Sequence, residues 1–198
     1  MNKRDFLAAA IAGGLALPAA TAAAATRRPA RNIARGPALL TVTGAIQKGN
    51  RSGLDPALDQ LMKKQGVNFE RAYAFDFRAL TALPSTQIRP TLEYDEQVHA
   101  LRGPLLLDVV KTAGAMLGDR SKLVLRALDG YAVAVPVADL RKYRFIVATH
   151  LDRRPMPLGG LGPLWAVYDA DRFKDMAAKP LNVRFATCPW GLYHIEVQ

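Results

Sequence analysis

The sequence has 198 residues, of which 50% are hydrophobic, 8% aromatic and 22% charged. These proportions are typical of a globular protein and exclude a disordered chain, whose apolar content would be far lower. The single cysteine excludes a disulfide framework and any thiolate-rich zinc or iron–sulfur site. The net charge of +10 would favour nucleic acid or an anionic surface as partner if the basic residues were clustered.

Residues 1–25 have the three-part layout of an export signal. A short basic start precedes an uncharged stretch rich in Ala and Leu, and Ala23-Ala24-Ala25 satisfies an A-x-A cleavage pattern. A transmembrane anchor is the alternative, but the glycines, the proline and the many alanines make this stretch too weakly apolar. Lys3-Arg4-Asp5-Phe6-Leu7 is also similar to the twin-arginine export pattern, so that route and the general secretory route both stay open. We expect residues 1–25 to be removed, and the protein to be periplasmic or secreted with no transmembrane anchor.

A basic arm follows the predicted cleavage point. Arg27, Arg28, Arg31 and Arg35 lie close together without helical or strand periodicity, which predicts a flexible arm over residues 26–38. Beyond the arm the basic residues are spread along the chain, and no basic stripe alternates with aromatic residues. This distribution argues against nucleic acid as a partner. A small-molecule or anionic ligand is the expected partner, and the sequence specifies no redox partner.

The first part of the chain after the arm predicts one strand and two helices. Residues 39–46 alternate apolar and polar positions and are rich in β-branched types, which predicts a strand. Asp55 before a proline predicts the start of a helix that Gly66 ends. Asp76 predicts the N-cap of a short helix that reaches Pro84.

The second part is richer in strands. Residues 86–94 are expected to be extended, and Pro104 is expected to open the clearest helix, which ends at Gly114 or Gly118. The Asp129-Gly130 dipeptide predicts a tight hairpin turn. Five apolar and β-branched runs predict strands: residues 122–128, 131–135, 145–148, 164–168 and 192–197.

These elements predict the fold class. Strands outnumber helices in the second part, and tight turns or loops join successive strands, which argues against a doubly wound parallel sheet. No internal repeat and no second composition regime follows the arm. We therefore expect a single α+β domain over residues 39–198, with a mixed, mainly antiparallel sheet and short helices.

The histidines and the single cysteine do not form a recognisable metal-binding pattern. His99, His150 and His194 are about 50 residues apart and share no ligand spacing, so no metal site is predicted. Cys188 has no CxxC partner, and an unreactive thiol is the expected state.

A glycine-rich bend over residues 159–162 is the clearest candidate for a ligand contact. No helix follows it to supply the dipole that a phosphate loop uses, so we expect a bend that brings backbone close to another group. Arg153 and Arg154 precede the bend and suit an anionic ligand. Two solvated surface arginines are the alternative.

Several segments, taken in order, resemble one family. They are Leu40-Thr41-Val42-Thr43-Gly44, Ala82-Leu83-Pro84, Leu101-Arg102-Gly103-Pro104-Leu105-Leu106-Leu107-Asp108-Val109-Val110, Ala127-Leu128-Asp129-Gly130-Tyr131 with Val135-Pro136, Arg154-Pro155-Met156 with Leu161-Gly162-Pro163-Leu164, and Trp190 with Ile195-Glu196-Val197. Together they resemble the molybdopterin-binding oxidoreductase domain of the sulfite oxidase family. The resemblance covers residues 39–197 and implies the α+β fold of that domain.

The resemblance also implies a cofactor site. In this family a pterin dithiolene and one protein cysteine hold molybdenum in a pocket lined with basic groups. The ligand cysteine follows a stretch similar to Thr91-Leu92-Glu93, which places Tyr94 where the thiolate belongs. Leu161, Trp165 and Pro189 stand where the family has His, Arg and Lys, so the metal bond and much of the charge compensation are missing.

Two interpretations follow from these departures. In the first, the protein keeps the fold without tight molybdenum ligation and is a binding or accessory module that uses the remaining cleft for another ligand. In the second, it is an active molybdopterin-dependent oxidoreductase with non-standard ligation, its pterin held by arginines and by backbone amides of the bend. The candidate cleft residues are Tyr94, Asp129, Tyr131, Arg153, Arg154, Gly162 and Trp165.

Overall fold

The computed structural model of the chain describes residues 36–198. The predicted export signal and nearly all of the predicted arm lie outside the described residues, so both stay predictions. The strands are β1 Leu40–Gly44, β2 Tyr73–Phe75, β3 Ser85–Ile88, β4 Leu101–Pro104, β5 Lys122–Ala127, β6 Ala132–Pro136, β7 Ile146–Ala148, β8 His150–Leu151, β9 Arg154–Pro155, β10 Trp165–Val167 and β11 Leu192–Val197. The helices are α1 Gln60–Lys64, α2 Phe77–Thr81, α3 Leu106–Thr112, α4 Val137–Lys142, α5 Lys174–Ala177 and α6 Leu181–Arg184.

The strands form three sheets. A five-stranded sheet has the order β2-β1-β11-β5-β6, a four-stranded sheet has the order β3-β4-β8-β9, and β7 pairs with β10. β1 and β11 run parallel, and the other strand pairs of the described chain are antiparallel. The helices are short, the longest being the seven residues of α3. This architecture confirms the expected α+β fold with a mixed, mainly antiparallel arrangement.

One large apolar core joins the three sheets. It includes Leu40 of β1, Leu101 of β4 and Ile146 of β7, and the apolar faces of α2, α3, α4 and α5 pack on the same cluster. Burial of these side chains supplies the main driving force for the fold. None of the helices in residues 36–198 is long and apolar enough to span a bilayer.

The local signals of the sequence predicted several elements correctly. The side chain of Asp76 caps α2, because its Oδ1 accepts a hydrogen bond of 2.7 Å from the Ala79 backbone N–H. The hairpin of β5 and β6 closes around the Asp129-Gly130 turn, where the Ala127 N–H donates to the Tyr131 carbonyl over 2.8 Å. The runs predicted as β1, β5, β6, β7, β10 and β11 all lie in strands.

Two helix starts were wrong. Oδ1 of Asp55 accepts from the backbone N–H groups of Ala57 and Leu58, which forms a capped turn, and α1 begins only at Gln60. Pro104 is the last residue of β4, in register with Ser85 of β3, and α3 begins two residues later. In both places a turn or a strand pairing occupies the position that the proline and acidic signals assigned to a helix.

Candidate functional site

Tyr94, which the sequence resemblance places at the family's cysteine position, follows a loop that two distant carboxylates fix. The backbone N–H of Arg89 donates to Oδ2 of Asp169 over 3.1 Å. Two residues further on, the N–H of Thr91 donates to Oδ2 of Asp171 over 2.7 Å. These bonds join partners 80 residues apart in the chain and fix the segment that leads to Tyr94.

Two adjoining cavities meet at this loop and share Tyr94, Asp129 and Trp190 in their walls; together we call them the Tyr94 cleft. The first, of about 370 Å³, also has Glu93, Tyr131 and Cys188 in its lining. The second, of about 480 Å³, continues under the glycine-rich bend. The cleft has the size of a small-molecule site.

Aromatic rings form the open side of the Tyr94 cleft. Tyr94 is 55% exposed and Trp190 is 38% exposed, so both rings offer surface to a ligand. Partial burial, assisted by the negative charge of Glu93, raises the pKa of Tyr94 to about 12. The Tyr94 phenol therefore stays protonated at neutral pH and supplies a neutral aromatic surface, not an anionic ligand.

Cys188 lies in the wall of the cleft as a buried thiol. Its residue is only 4% exposed, and burial raises the pKa of the thiol far above its usual range. Its backbone is fixed as well, because the Trp165 indole N–H donates to the Cys188 carbonyl over 2.8 Å. A protonated, buried sulfur is a poor metal ligand, since metals bind the thiolate.

The turn between β5 and β6 closes the other side of the cleft. Oδ1 of Asp129 accepts a hydrogen bond of 2.9 Å from the Tyr131 backbone N–H, which fixes the carboxylate at the turn. The Tyr131 hydroxyl donates to the carbonyl of Ala186, beyond the end of α6. The Tyr131 hydroxyl is therefore already used in joining the hairpin to the segment that carries Cys188.

The charge of the cleft is opposite to the charge that a pterin phosphate needs. Glu93 and Asp129 line it, and within residues 36–198 no Lys, Arg or His does. Residues 36–198 also hold no group of three or more His, Cys, Asp or Glu side chains placed to bind a metal ion. With an acidic lining and a protonated thiol, the residues present do not fit an anionic molybdenum cofactor.

The structure separates the two predicted arginines. Arg153 lines a cavity of about 650 Å³ together with Arg89 and Arg102, whereas Arg154 lines another, of about 800 Å³, beside Gly160. Arg153 lies in the two-residue turn between β8 and β9, whereas Arg154 is the first residue of β9. The expected arginine pair at the bend is therefore not formed, and neither arginine lines the Tyr94 cleft.

The remaining candidates divide between the cleft and the core. Gly162 lines the cleft, and a Cβ atom there would lie 2.6 Å from the Cβ of Met156, so the close approach that the bend permits is to the protein's own chain. Trp165 is fully buried in β10 and packs its ring 6.0 Å from that of Phe185, centroid to centroid. Trp165 is therefore a core residue, at the position to which the sequence resemblance assigned a family arginine.

Sequence reasoning missed Glu93, Arg89 and Arg102 as lining residues. Glu93 was quoted only as part of the motif before Tyr94, and no sequence signal placed its side chain in the wall of a cavity. Arg89 and Arg102 could not be paired in advance, because they meet only through the register of β3 and β4.

Comparison with known proteins supports the fold class alone. No protein-family model matches the chain, and no curated protein sequence matches it. Among solved structures, the sulfane dehydrogenase SoxCD from Paracoccus pantotrophus is similar over 80% of this chain and 37% of that chain, with a TM-score of 0.50 and 12% sequence identity. The chain therefore has an α+β fold similar to part of a dehydrogenase, and it spans little more than a third of that protein's length.

Proposed function

We propose that this protein is an exported binding module, which keeps an oxidoreductase-like fold without tight molybdenum ligation and binds an organic cation in the Tyr94 cleft. The layout of residues 1–25 supports export to the periplasm or beyond. The fold similarity to a sulfane dehydrogenase supports a shared scaffold. The scaffold by itself does not imply the same chemistry, because function depends on the residues of the site.

The lining of the cleft carries the proposal. Two carboxylates, Glu93 and Asp129, lie with the rings of Tyr94, Tyr131 and Trp190 around one cavity. Carboxylates attract a positive charge, and aromatic faces bind cations through the ring quadrupole. This combination favours an organic ammonium compound with an apolar or aromatic body.

The second candidate is an active molybdopterin-dependent oxidoreductase with non-standard ligation. The sequence resemblance and the similarity to a dehydrogenase favour it. The buried, protonated Cys188 and the missing cations of the cleft count against it. If Cys188 were the metal ligand of such a cofactor, its thiol would have to lose its proton and become exposed.

The experiment compares two ligands of similar size and opposite charge. Binding of 2-phenylethylammonium and of 3-phenylpropionate to the purified protein is measured by titration calorimetry, with Trp fluorescence as a second signal. We expect the cation to bind, and we expect 3-phenylpropionate not to displace it from the Tyr94 cleft. Asp129→Asn keeps the oxygen that accepts from Tyr131 and removes the charge, so we expect it to weaken binding by about tenfold.

Asp119→Asn is the matched control, because Asp119 is exposed and does not line the cleft. We expect this variant to bind the cation as the unchanged protein does. Displacement of the bound cation by 3-phenylpropionate, or equal affinities of the Asp129→Asn variant and the unchanged protein, would contradict the proposal.

A further inference from the structure

We propose a second binding site on this protein, at the cavity lined by Arg89, Arg102 and Arg153, for an organic anion that carries a phosphate or sulfate group. The cavity lies on the outer face of the four-stranded sheet and has a volume of about 650 Å³. The site goes beyond the proposed function, because its lining is basic and its ligand has the opposite charge. We call it the arginine cavity.

The pairing of β3 with β4 places the side chains of Gln87 and Arg102 in the wall of the arginine cavity. Gln87 of β3 lies opposite Arg102 of β4, and both are exposed, whereas their neighbours Ile88 and Leu101 are buried. A Cβ atom at Gly103 would lie 1.8 Å from the Val147 carbonyl oxygen, so the inner face of β4 is filled by the backbone of β7. Since side chains alternate along a strand, Arg102 has to face outward.

A two-residue turn places Arg153 at the same cavity. Asp152 and Arg153 connect β8 and β9 with φ angles of 47° and 69°, both in the left-handed region that non-glycine residues seldom adopt. Hydrogen bonds hold the turn against the preceding loop. Oδ1 of Asp152 accepts from the Ala100 N–H over 2.9 Å, and its Oδ2 lies 2.7 Å from Nδ1 of His99.

Within residues 36–198 no direct contact neutralises the three guanidinium groups, although the carboxylate of Asp152 attracts Arg89 at longer range. Other arginines, such as Arg51, Arg126 and Arg184, form ion pairs with carboxylates. Within residues 36–198 the side chains of Arg89, Arg102 and Arg153 form no ion pair and no hydrogen bond. The one carboxylate in the lining, on Asp152, already accepts hydrogen bonds with both of its oxygens.

Three guanidinium groups in the wall of one cavity suit a tetrahedral oxyanion. Each group offers parallel N–H donors that bind two oxygens of a phosphate or sulfate at once. Like charges in one cavity repel one another, and a bound dianion removes this repulsion. A cavity of about 650 Å³ is far larger than an inorganic anion, and Val98 and Ala100 give it an apolar wall. These features favour an organic ester over the free ion.

Calorimetry with four probes tests the arginine cavity: phenyl phosphate, phenyl sulfate, inorganic phosphate and phenol. We expect the two esters to bind more tightly than inorganic phosphate, and phenol not to bind. Arg102→Gln and Arg153→Gln each remove one charged donor, and we expect each to weaken ester binding by about tenfold. Both residues are exposed, so folding should be retained, which circular dichroism checks.

Arg141→Gln is the matched control, because Arg141 is an exposed arginine of α4 outside this cavity and loses the same charge. Tight binding of inorganic phosphate and no gain from the phenyl group would identify the free ion as ligand and overturn the organic part of the proposal. The whole proposal would be overturned by no ester binding at about 1 mM. An equal loss in Arg141→Gln and Arg102→Gln would overturn it too.

Discussion

His194 of β11 is a buried histidine whose two ring nitrogens both have partners. Nε2 lies 2.9 Å from the Thr43 hydroxyl, and an Arg126 N–H lies 3.4 Å from Nδ1. Arginine can only donate, so Nδ1 is the acceptor and Nε2 carries the proton that is donated to Thr43. Burial, assisted by the positive charge of Arg126, lowers the pKa of His194 to about 4. The ring is therefore neutral at the core of the main sheet.

This lowered pKa predicts loss of stability in mild acid. The unfolded chain takes up a proton at His194 below about pH 6.5, whereas the folded chain does so only near pH 4. The neutral ring of His194 makes its full contribution to stability above about pH 6.5, and this contribution is lost as the pH falls toward about 4. The loss amounts to about 3 kcal/mol of unfolding free energy. His194→Gln should flatten the dependence in urea unfolding at about pH 7 and about pH 4.5. Equal slopes in both proteins would contradict this prediction.

His99 should have the opposite effect on stability. It lies between Asp152 and Asp95, with nitrogen–oxygen distances of 2.7 and 2.8 Å, and their hydrogen bonds raise its pKa. Its contribution is complete below about pH 6.5 and is lost as the pH rises through the raised pKa. His99→Gln should therefore make the acid loss in the same unfolding series steeper. A shallower loss in this variant would show that the bridge does not form.

The Cys188 thiol should react only when the protein unfolds. It is buried and its pKa is raised by burial, so little thiolate is present and little of it is accessible. We expect a disulfide reagent to modify it at least about a hundredfold more slowly in the folded protein than in urea. Reaction of the folded protein at the rate of an exposed thiol would contradict the account of the cleft wall.

Single residues were the most predictable where their effect is local. The Asp76 cap and the Asp129-Gly130 turn depend on bonds within a few residues, which the sequence displays directly. Arg153 and Arg154 line different cavities because one lies in the turn between β8 and β9 and the other begins β9. No local signal in the sequence marked that hairpin. The core position of Trp165 depends in the same way on the β7–β10 pairing.

At the scale of elements, the close backbone contact between β4 and β7 offers a direct test of the packing. A Cβ atom at Gly103 would lie 1.8 Å from the Val147 carbonyl oxygen, a backbone atom that cannot move aside. We expect Gly103→Ala to lower the unfolding free energy by about 3 kcal/mol, measured by urea unfolding. Gly118→Ala is the control, because a Cβ atom there meets nothing within 4 Å. Equal stabilities of the two variants would contradict the β4–β7 packing.

Strands that pair with neighbours in the chain, or that have a long apolar pattern, were easier to predict than short strands that pair with distant parts of the chain. The β5–β6 hairpin and the apolar runs of β1 and β11 were predicted from pattern alone. β2, β8 and β9 are two or three residues long and exist only because distant strands pair with them, so no sequence period marks them. For the same reason the pairing of β3 with β4, which brings Arg89 and Arg102 to one cavity, could not be predicted from the sequence.

At the scale of the whole molecule, the fold is similar to part of a dehydrogenase, and the two cavities described above differ in the charge of their linings. The Tyr94 cleft is acidic and aromatic, and three arginines line the separate arginine cavity. A fold of this class can host different functions because the side chains of the site, and not the scaffold, decide what is bound. We propose both cavities as binding sites for small charged molecules.

The molybdenum content of the purified protein tests this account most directly. The protein is purified from cells that load molybdenum into a co-expressed molybdopterin enzyme, which is the positive control, and both are analysed for metal and for released pterin. We predict that the control carries stoichiometric molybdenum and that this protein carries neither metal nor pterin. Stoichiometric molybdenum that is lost in Tyr94→Phe or Cys188→Ser would contradict the account, because it would make one of these side chains a ligand.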